Sequence, residues 1–290
     1  MSPRVSVLVT VYNREAFLAA CLGSILASTW QDFEVVVVDD GSSDESCAIA
    51  ETYVARDPRI RFFRNERNLG DYPNRNRAAS LATGKYLKYV DADDLIYPHS
   101  LRLMVEALES FPEAALGLSW DVVDSPIPYP FLLNSLEAHV AHFLGRSPLG
   151  VGPSAAIIRR DAFEAIGGFS GKQFIGDTEL WLKLTARWPM VSLPPALVWW
   201  RMHEGQQMHL EQDRPEIVTA RFQMELTALH DGSMLAPESQ AAAAVRLRQH
   251  HARRILALAL SQRQAALAWR LFRDSGLGLG ELLRGLGGYR

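Results

Sequence analysis

Three carboxylates follow an apolar run near the middle of the chain, at Asp91, Asp93 and Asp94. The run itself, residues 86–90, predicts a buried strand that ends in these acidic residues. Several anionic oxygens at the end of a strand suit a hard divalent cation such as Mg²⁺ or Mn²⁺. Because such a cation keeps room for substrate phosphates, the expected ligand is a nucleotide diphosphate. Taken alone, the same residues fit a solvated acidic loop equally well, so the neighbouring elements must decide.

The residues before this cluster alternate apolar strands with helical segments. Strands are predicted at residues 5–11, 33–38, 60–63 and 86–90, with helices at residues 16–27, up to residue 55, and at 73–81. Such alternation predicts a parallel sheet with helices on both faces. Ligands bind at the carboxyl ends of the strands in such sheets, and Thr10, Asp39 and Asp40 fall there together with the acidic cluster. Their shared edge indicates that these residues act together.

The character of the sequence changes at the proline-rich residues 124–130, which fit neither a central strand nor a helix interior. We predict a border here between a nucleotide-binding half, residues 1–123, and an acceptor-binding half, residues 124–205. Residues 206–290 are rich in Ala, Leu, Arg and Gln and are predicted to form a C-terminal helical extension with a frayed end at 276–288. A helix is expected at 132–144, strands at 115–120, 154–159, 191–193 and 197–201, and helices at 98–110, 161–166 and 177–187.

Composition excludes several classes of protein. The 290 residues carry a net charge of −3 and a pI near 6.3, which argues against a nucleic-acid binder. No run of about 18 uncharged apolar residues is present, and the chain opens directly into a strand, so we expect a cytoplasmic protein without a signal peptide. Cys21 and Cys47 fit neither a zinc-ligand spacing nor a disulfide framework and are interpreted as small buried residues.

The C-terminal extension contains a basic amphipathic segment with Arg246, Arg248, Arg253 and Arg254 among apolar residues. A helix of this kind can lie on an anionic membrane surface, which would make the protein peripheral to a membrane. The reading that we favour is a helix packed on its own domain with a solvated basic face. Homodimerisation through the C-terminal helices is a further hypothesis.

Taken together, several segments resemble the family 2 glycosyltransferases of the GT-A fold. The matching segments are residues 5–13, 33–44 and 68–94 with Pro98, then Gly167-Gly168-Phe169, residues 176–180 and Trp200-Arg201-Met202-His203. The resemblance implies an α/β GT-A domain with a Rossmann-like, mostly parallel sheet. It also implies an inverting, non-processive hexosyltransferase that moves one sugar from a nucleotide-diphosphate donor, most commonly UDP, to a carbohydrate or lipid-linked acceptor. Surface polysaccharide or glycolipid assembly is the setting that it suggests.

The resemblance assigns the donor site to residues at the carboxyl edge of the predicted sheet. Thr10 and Asp40 would contact the nucleotide base and its sugar, with Tyr12 and Asp39 nearby. Asp91-Ala92-Asp93 looks like the family's Asp-x-Asp motif, and Asp91 and Asp93 would contact the donor. Arg75 and Arg77 are candidates for the donor diphosphate or base.

The same resemblance implies a set of metal ligands and a catalytic base. Asp93 and Asp94 are the expected ligands of Mn²⁺ or Mg²⁺, while Arg201 and His203 match a motif that closes over the diphosphate and completes the shell. Asp177 matches the catalytic base, although family members usually have Glu-Asp where this chain has Gly176-Asp177. A hydroxyl that attacks an anomeric carbon does need a carboxylate to take its proton. Asp177 taken alone could equally be a helix N-cap.

Three other functions remain as alternatives. A dehydrogenase would need a glycine-rich turn after the first strand, where this chain has Thr10-Val11-Tyr12-Asn13. A sugar nucleotidyltransferase would need a loop rich in Gly and Arg or Lys at that position. A catalytically inactive nucleotide-binding scaffold would be expected to lack Asp93, Asp94 or Asp177. All three are present, which favours the enzyme.

Overall fold

The computed structural model describes residues 2–120, 127–203, 216–260 and 263–286 of the chain. The predicted borders at residues 124 and 206 therefore lie outside the described residues. Two compact units make up the chain. The first consists of Met1–Ala138 with Pro148–Met202, and the second of His139–Ser147 with His203–Arg290. The division of residues 1–205 into donor and acceptor halves stays a prediction.

A mixed eight-stranded sheet forms the centre of the first unit. Its parallel part contains β1 (Val5–Val11), β2 (Phe33–Asp39), β3 (Ile60–Arg64) and β4 (Tyr86–Tyr89) in the order β3-β2-β1-β4. Strand β2 is buried along its whole length, as expected for a nearly continuous run of β-branched residues covered on both faces. The predicted parallel sheet of the first four strands is confirmed.

Four shorter strands extend the sheet beyond β4 and make it mixed. They are β6 (Leu116–Ser119), β7 (Phe131–Leu133), β8 (Ala156–Arg159) and β9 (Met190–Leu193), in the order β4-β8-β6-β9-β7. Strand β8 is antiparallel to both of its neighbours, and β7 is antiparallel to β9. A separate antiparallel pair joins β5 (Leu95–Ile96) to β10 (Val198–Trp199).

The helix predicted near residues 132–144 is confirmed, but it begins three residues later than expected. Strand β7 ends at Leu133, and helix α5 (Ser135–Leu144) follows it. A three-residue strand is too short to show a period of two, and its apolar residues continue the helical pattern of α5. Only its pairing with β9 makes it a strand.

Helices cover the sheet of the first unit. They are α1 (Glu15–Leu26), α2 (Ser46–Arg56), α3 (Asp71–Ser80), α4 (Ser100–Ser110), α6 (Arg160–Ala165) and α7 (Gly176–Thr185). Helix α1 buries Leu18, Cys21, Leu22 and Ile25, which recur at the three- and four-residue spacing of one helix face. Both cysteines are free. Cys21 is fully buried, as its interpretation as a small core residue requires, whereas Cys47 is only partly buried, so its interpretation as a buried residue was wrong.

The second unit is helical, as the composition of the tail predicts. It contains α8 (Glu216–Asp231), α9 (Pro237–Leu260), α10 (Ala265–Ser275) and α11 (Leu279–Leu286). Helix α9 places Ala252, Ile255 and Leu258 in the core of this unit. The end of the chain was expected to be frayed at residues 276–288, but residues 279–286 form helix α11. Packing within the unit offsets the low helix propensity of its glycines. Residues 287 and 288 lie outside the described residues. None of the helices that the structure describes is long and apolar enough to cross a lipid bilayer.

Candidate functional site

The acidic turn, defined as Asp91, Asp93 and Asp94, lies directly beyond the carboxyl end of β4. The Asp91 amide donates to the Ser154 hydroxyl at 2.9 Å, and the Asp94 amide donates to the Asp91 carbonyl at 2.8 Å. These two bonds fold the backbone tightly and tie it to the residues that precede β8. Three carboxylates are therefore held close together at the edge of the sheet.

Two arginines from separate elements pair with the acidic turn. The Arg75 guanidinium, on α3, lies 2.7 Å from the Asp91 carboxylate, and Nε of Arg14, just before α1, lies 2.9 Å from the Asp93 carboxylate. Arg75 is buried and also pairs with Asp71 at 2.7 Å. The contacts described for Arg75 therefore fix Asp91, and its direct contact with a donor stays a prediction.

The third carboxylate, Asp94, is nearly inaccessible to solvent, with 1% of its surface exposed. Burial raises its pKa to about 7, and the charges of Asp91 and Asp93 act in the same direction. One oxygen accepts the backbone N–H of Arg201 at 3.3 Å, while Oδ2 is buried without a hydrogen-bond partner among the described residues. Such an oxygen is costly to leave uncompensated.

Arg201 is held over the same turn. Its Nε donates to the Asp93 carbonyl at 2.9 Å, and its guanidinium lies 5.1 Å from the Phe17 ring centroid and 4.8 Å from the Trp199 ring centroid. Contacts with aromatic faces suit a guanidinium, which is weakly hydrated and planar. The structure thus brings Arg201 to the acidic turn, and its contact with a diphosphate stays a prediction.

A buried lysine lies below the acidic turn. Lys88, the third residue of β4, is fully inaccessible, and its ammonium donates to the Ser154 carbonyl. Burial lowers its pKa to about 7, although the charges of Asp91 and Asp94 oppose that shift. Lys88 thus binds the backbone carbonyl of Ser154, whose hydroxyl accepts the Asp91 amide. Through Ser154, the lysine helps to fix the acidic turn.

The acidic turn fits a divalent cation. Its carboxylates are crowded, and a buried Asp94 oxygen has no partner among the described residues, so a cation would compensate charge that the protein leaves uncompensated. Over the described parts of the chain, no group of three or more His, Cys, Asp or Glu side chains is arranged to hold a metal ion, so a metal site at the acidic turn stays a prediction. His203 is the first residue of the second unit, and its place in the metal shell stays a prediction.

Asp177 lies in the first turn of α7 and is partly exposed. Its carboxylate accepts the Thr178 amide at 2.7 Å, at the positive end of the helix dipole. Its own amide donates to the Tyr72 hydroxyl at 3.3 Å. A carboxylate that is held at a helix start yet open to solvent can accept a proton from a bound hydroxyl.

Asp39 binds the turn that follows β2, and Asp40 binds the segment that follows β3. One Asp39 oxygen accepts the amides of Gly41 and Ser42 at 3.0 and 2.9 Å. The Asp40 carboxylate accepts the Asn65 side-chain amide at 2.6 Å and the backbone amides of the residues at 69 and 70 at 2.8 and 2.9 Å. Both aspartates are buried and bound by the protein itself, so their contacts with a nucleotide stay predictions.

The remaining predicted donor residues lie on two elements, Thr10 and Tyr12 at the end of β1 and Arg77 in the last turn of α3. Thr10 is partly exposed near the end of β1, and Tyr12 follows that strand with 49% of its surface exposed. Arg77 is exposed on α3, unlike Arg75 two positions earlier. All of these side chains are accessible to a ligand, but none of them contacts the acidic turn in the described hydrogen bonds and ion pairs.

Sequence reasoning missed three residues that the structure places around the site: Arg14, Tyr72 and Lys88. The position of Arg14 just after the first strand was a usable signal, because that is the ligand-binding edge of a parallel sheet. Tyr72 and Lys88 offered none, because their roles depend on contacts with residues about 105 and 66 positions away.

The chain was then compared with known proteins. A sequence model described as "Glycosyl transferase family 2" matches residues 6–167, which is more than half of the chain. The chain belongs to glycosyl transferase family 2. Glycosyltransferase GlyG of Streptococcus pneumoniae serotype 4 is 24% identical to this family 2 chain over 227 residues, covering 73% of it and 75% of GlyG. Several other curated glycosyltransferases match over shorter stretches, and the chain covers only 31% to 41% of their lengths.

Solved structures show the same fold. The crystal structure of S. aureus TarS 1-349 in complex with UDP-GlcNAc has a TM-score of 0.69 at 19% identity, covering 99% of this chain and 80% of that chain. Mannosyltransferase PcManGT from Pyrobaculum calidifontis, in complex with GDP-Man and Mn²⁺, has a TM-score of 0.61 at 20% identity, covering 99% of this chain and 79% of that chain. The chain therefore has a GT-A-like fold.

Proposed function

We propose that this glycosyltransferase moves one sugar, with inversion, from a UDP-type nucleotide-diphosphate sugar to a hydroxyl of a carbohydrate or lipid-linked acceptor. The proposal includes a role in surface polysaccharide or glycolipid biosynthesis. The observation that carries it is the crowded acidic turn at the carboxyl edge of the sheet, with its buried and uncompensated Asp94 oxygen. The binding of UDP-GlcNAc by TarS and of GDP-Man with Mn²⁺ by PcManGT supports the substrate class.

Asp93 and Asp94 would hold Mn²⁺ or Mg²⁺. When bound, the cation neutralises charge on the diphosphate as it leaves. Arg201 is fixed beside Asp93 and Asp94 by its own hydrogen bonds and would add a guanidinium to the same diphosphate. Arg14 pairs with Asp93 at 2.9 Å, so a cation held by Asp93 would compete with this ion pair.

Asp177 would act as the general base. As the acceptor oxygen attacks the anomeric carbon, the Asp177 carboxylate takes the hydroxyl proton. The new carbon–oxygen bond forms on the face opposite to the diphosphate, and the old bond breaks with its electron pair going to the diphosphate. One displacement of this kind inverts the configuration at the anomeric carbon.

The test combines a thermal-shift panel with product analysis. Wild type, Asp93→Ala, Asp177→Asn and the control Asp32→Asn are mixed with UDP-GlcNAc, UDP-glucose, GDP-mannose or CMP-sialic acid, with and without Mn²⁺. Asp32 is an exposed carboxylate before β2, at the opposite edge of the sheet. Release of free nucleotide is measured in the same samples.

The proposal predicts a melting temperature that rises only with Mn²⁺ and a uridine nucleotide in wild type and Asp32→Asn. Asp93→Ala should lose this rise. Asp177→Asn should keep it but release nucleotide about 10²- to 10⁴-fold more slowly, the usual contribution of a general base. Binding without turnover in wild type would instead support an inactive scaffold, and retained turnover in Asp177→Asn would remove the base assignment.

A cytoplasmic location with peripheral membrane contact, and a homodimer formed through the C-terminal helices, remain part of the proposal. Sedimentation with anionic vesicles tests the first, and light scattering of the full chain tests the second. Burial of one face of α9 within its own unit supports the alternative of a solvated basic face.

A further inference from the structure

Tyr72 is the second residue of α3, and 4% of its surface is exposed. Its hydroxyl accepts the Asp177 amide at 3.3 Å, at the first turn of α7. Burial raises the pKa of the phenol well above its ordinary value, and the nearby Asp177 charge raises it further, so the phenol stays neutral. A neutral phenol oxygen thus binds one of the helix-start amides that have no partner within the helix.

The ring of Tyr72 also accounts for the glycine at position 176. A Cβ atom added to Gly176 would lie 2.7 Å from Cε2 of the Tyr72 ring and 2.8 Å from its Cζ. Real Cβ atoms do not approach carbon this closely, so any other residue at 176 would displace the ring or the start of α7. The backbone before Asp177 therefore rests directly on the tyrosine.

The ring cannot easily move away, because the segment around Phe169 holds it on its other side. Tyr72 stacks on Phe169 with ring centroids 5.0 Å apart. Asn76, one turn further along α3, binds both backbone groups of Phe169, donating to its carbonyl at 2.8 Å and accepting its amide at 3.0 Å. Helix α3, the Phe169 segment and the start of α7 are thus fixed to one another.

The same helix carries the contact with the acidic turn. Tyr72 and Arg75 are three positions apart and therefore lie on one face of α3. Arg75 pairs with Asp91, while Tyr72 binds the Asp177 amide. One ten-residue helix therefore contacts both the acidic turn and the residue assigned as the base.

We propose that Tyr72 is a positioning residue for Asp177, and that position 176 is a glycine because the Tyr72 ring occupies the space of its side chain. Helix α3 then sets where the base lies relative to the acidic turn, because Tyr72 binds the Asp177 amide and Arg75 pairs with Asp91. The catalytic part of this inference rests on the proposed function, because it takes Asp177 as the base. The positioning part rests on the contacts alone.

A purely structural tyrosine, packed only as a core ring, would give the same burial and stacking. Tyr72→Phe separates the two roles, since it keeps the ring and removes only the oxygen that binds the Asp177 amide. Tyr53→Phe is the matched control, because the Tyr53 hydroxyl donates to the Ala19 carbonyl at 2.8 Å and joins α2 to α1 instead. Gly23→Ala, inside α1 with its nearest neighbour at 3.7 Å, is the control for Gly176→Ala.

Two measurements are made on the full chain. Hydrogen exchange of the amides at 176–180 reports whether Tyr72 holds the start of α7, with no ligand present. Hydrolysis of UDP-GlcNAc, UDP-glucose and GDP-mannose with Mn²⁺ gives kcat and KM. In Tyr72→Phe we expect faster exchange at 176–180 and a kcat lower by about threefold to tenfold with unchanged KM, since one hydrogen bond that orients the base is lost. Tyr53→Phe should change neither.

Gly176→Ala should lower both kcat and the melting temperature, whereas Gly23→Ala should not. Its effect should be smaller in a Tyr72→Leu background, where the ring is absent, because residues in contact are not additive. Unchanged exchange in Tyr72→Phe, or additive effects of the two substitutions, would overturn the positioning role. Faster exchange with unchanged kcat, while Asp177→Asn is inactive, would overturn its catalytic consequence. If wild type hydrolyses no donor, the proposed function fails and the exchange result still decides the positioning role.

Discussion

Replacing Arg75 with methionine should destabilise the fold much more than the same change at Arg77. Arg75 is buried and pairs with both Asp71 and Asp91, whereas Arg77 is exposed on the same helix. Burial lowers the pKa of the Arg75 guanidinium, but the charges of the two aspartates outweigh that effect and hold the pKa above its ordinary value. The residue is therefore charged in the folded state, and its loss leaves two carboxylates without their cation.

The size of the effect follows from the burial of the three side chains. Removing one partner of a buried ion pair costs about 3–5 kcal/mol. The Arg75 side chain is 8% exposed, but those of Asp71 and Asp91 are 25% and 27% exposed, so water can partly replace the lost cation. Methionine also fills part of the vacated volume. We therefore expect a loss of about 2–4 kcal/mol in the free energy of unfolding, against at most about 0.5 kcal/mol for the exposed Arg77→Met.

Urea unfolding followed by tryptophan fluorescence, at pH 7.5 without divalent metal, measures both variants. Mn²⁺ should restore more stability to Arg75→Met than to wild type, because the acidic turn has then lost a cation that the metal can replace. Equal stabilities of the two methionine variants would refute the assignment of Arg75 as a buried counter-ion. A normal stability together with a raised KM for the donor would make Arg75 a substrate ligand instead.

Three further predictions concern carboxylates and their partners. Burial raises the pKa of Glu34, but hydroxyl, amide and guanidinium donors outweigh burial and hold this pKa below the ordinary 4.5. The ionised Glu34 therefore stabilises the fold above pH 4.5, and this stabilisation is lost as the pH falls through the folded-state pKa. Glu34→Gln should lower the free energy of unfolding by about 1–3 kcal/mol at pH 7 and by progressively less in acid. A loss of the same size at every pH in urea unfolding would contradict this. Asp40→Ala removes the acceptor of three N–H donors and should speed proteolysis within residues 65–70, which an unchanged cleavage rate would disprove. Arg14→Gln removes the ion pair between Arg14 and the Asp93 carboxylate and should tighten Mn²⁺ binding by about threefold to tenfold in calorimetry, whereas weaker binding would show that Arg14 does not compete with the metal.

Local patterns were sufficient for the fold of the first ninety residues. Each of the strands β1 to β4 is an apolar run bounded by polar turn residues, and their alternation with helices predicts a parallel sheet whatever the remaining sequence contains. The position of Asp91, Asp93 and Asp94 beyond the end of β4 then places them at the ligand-binding edge. These conclusions depend only on neighbours in the sequence, so the sequence by itself determined them.

The roles of the basic residues required the tertiary structure. Arg75 and Arg77 are two positions apart and look alike in the sequence, but the turn of α3 puts one against the acidic turn and the other in solvent. Arg14 reaches Asp93 across 79 positions of the chain. No local pattern specifies such a pair, because the packing of the helices on the sheet sets the distance between its members.

Gly176 illustrates the same limit. In the sequence it stands where the resembling family usually has an acidic residue, which suggests only the loss of a helper carboxylate. In the fold, the Tyr72 ring, about 104 positions away in the chain, lies where any side chain at 176 would be. Sequence patterns thus determined the sheet and the acidic edge, because those depend on residue type and spacing. The contacts between side chains that are far apart in the sequence were decided by the packing of distant segments. Close packing leaves room for only one arrangement of these side chains.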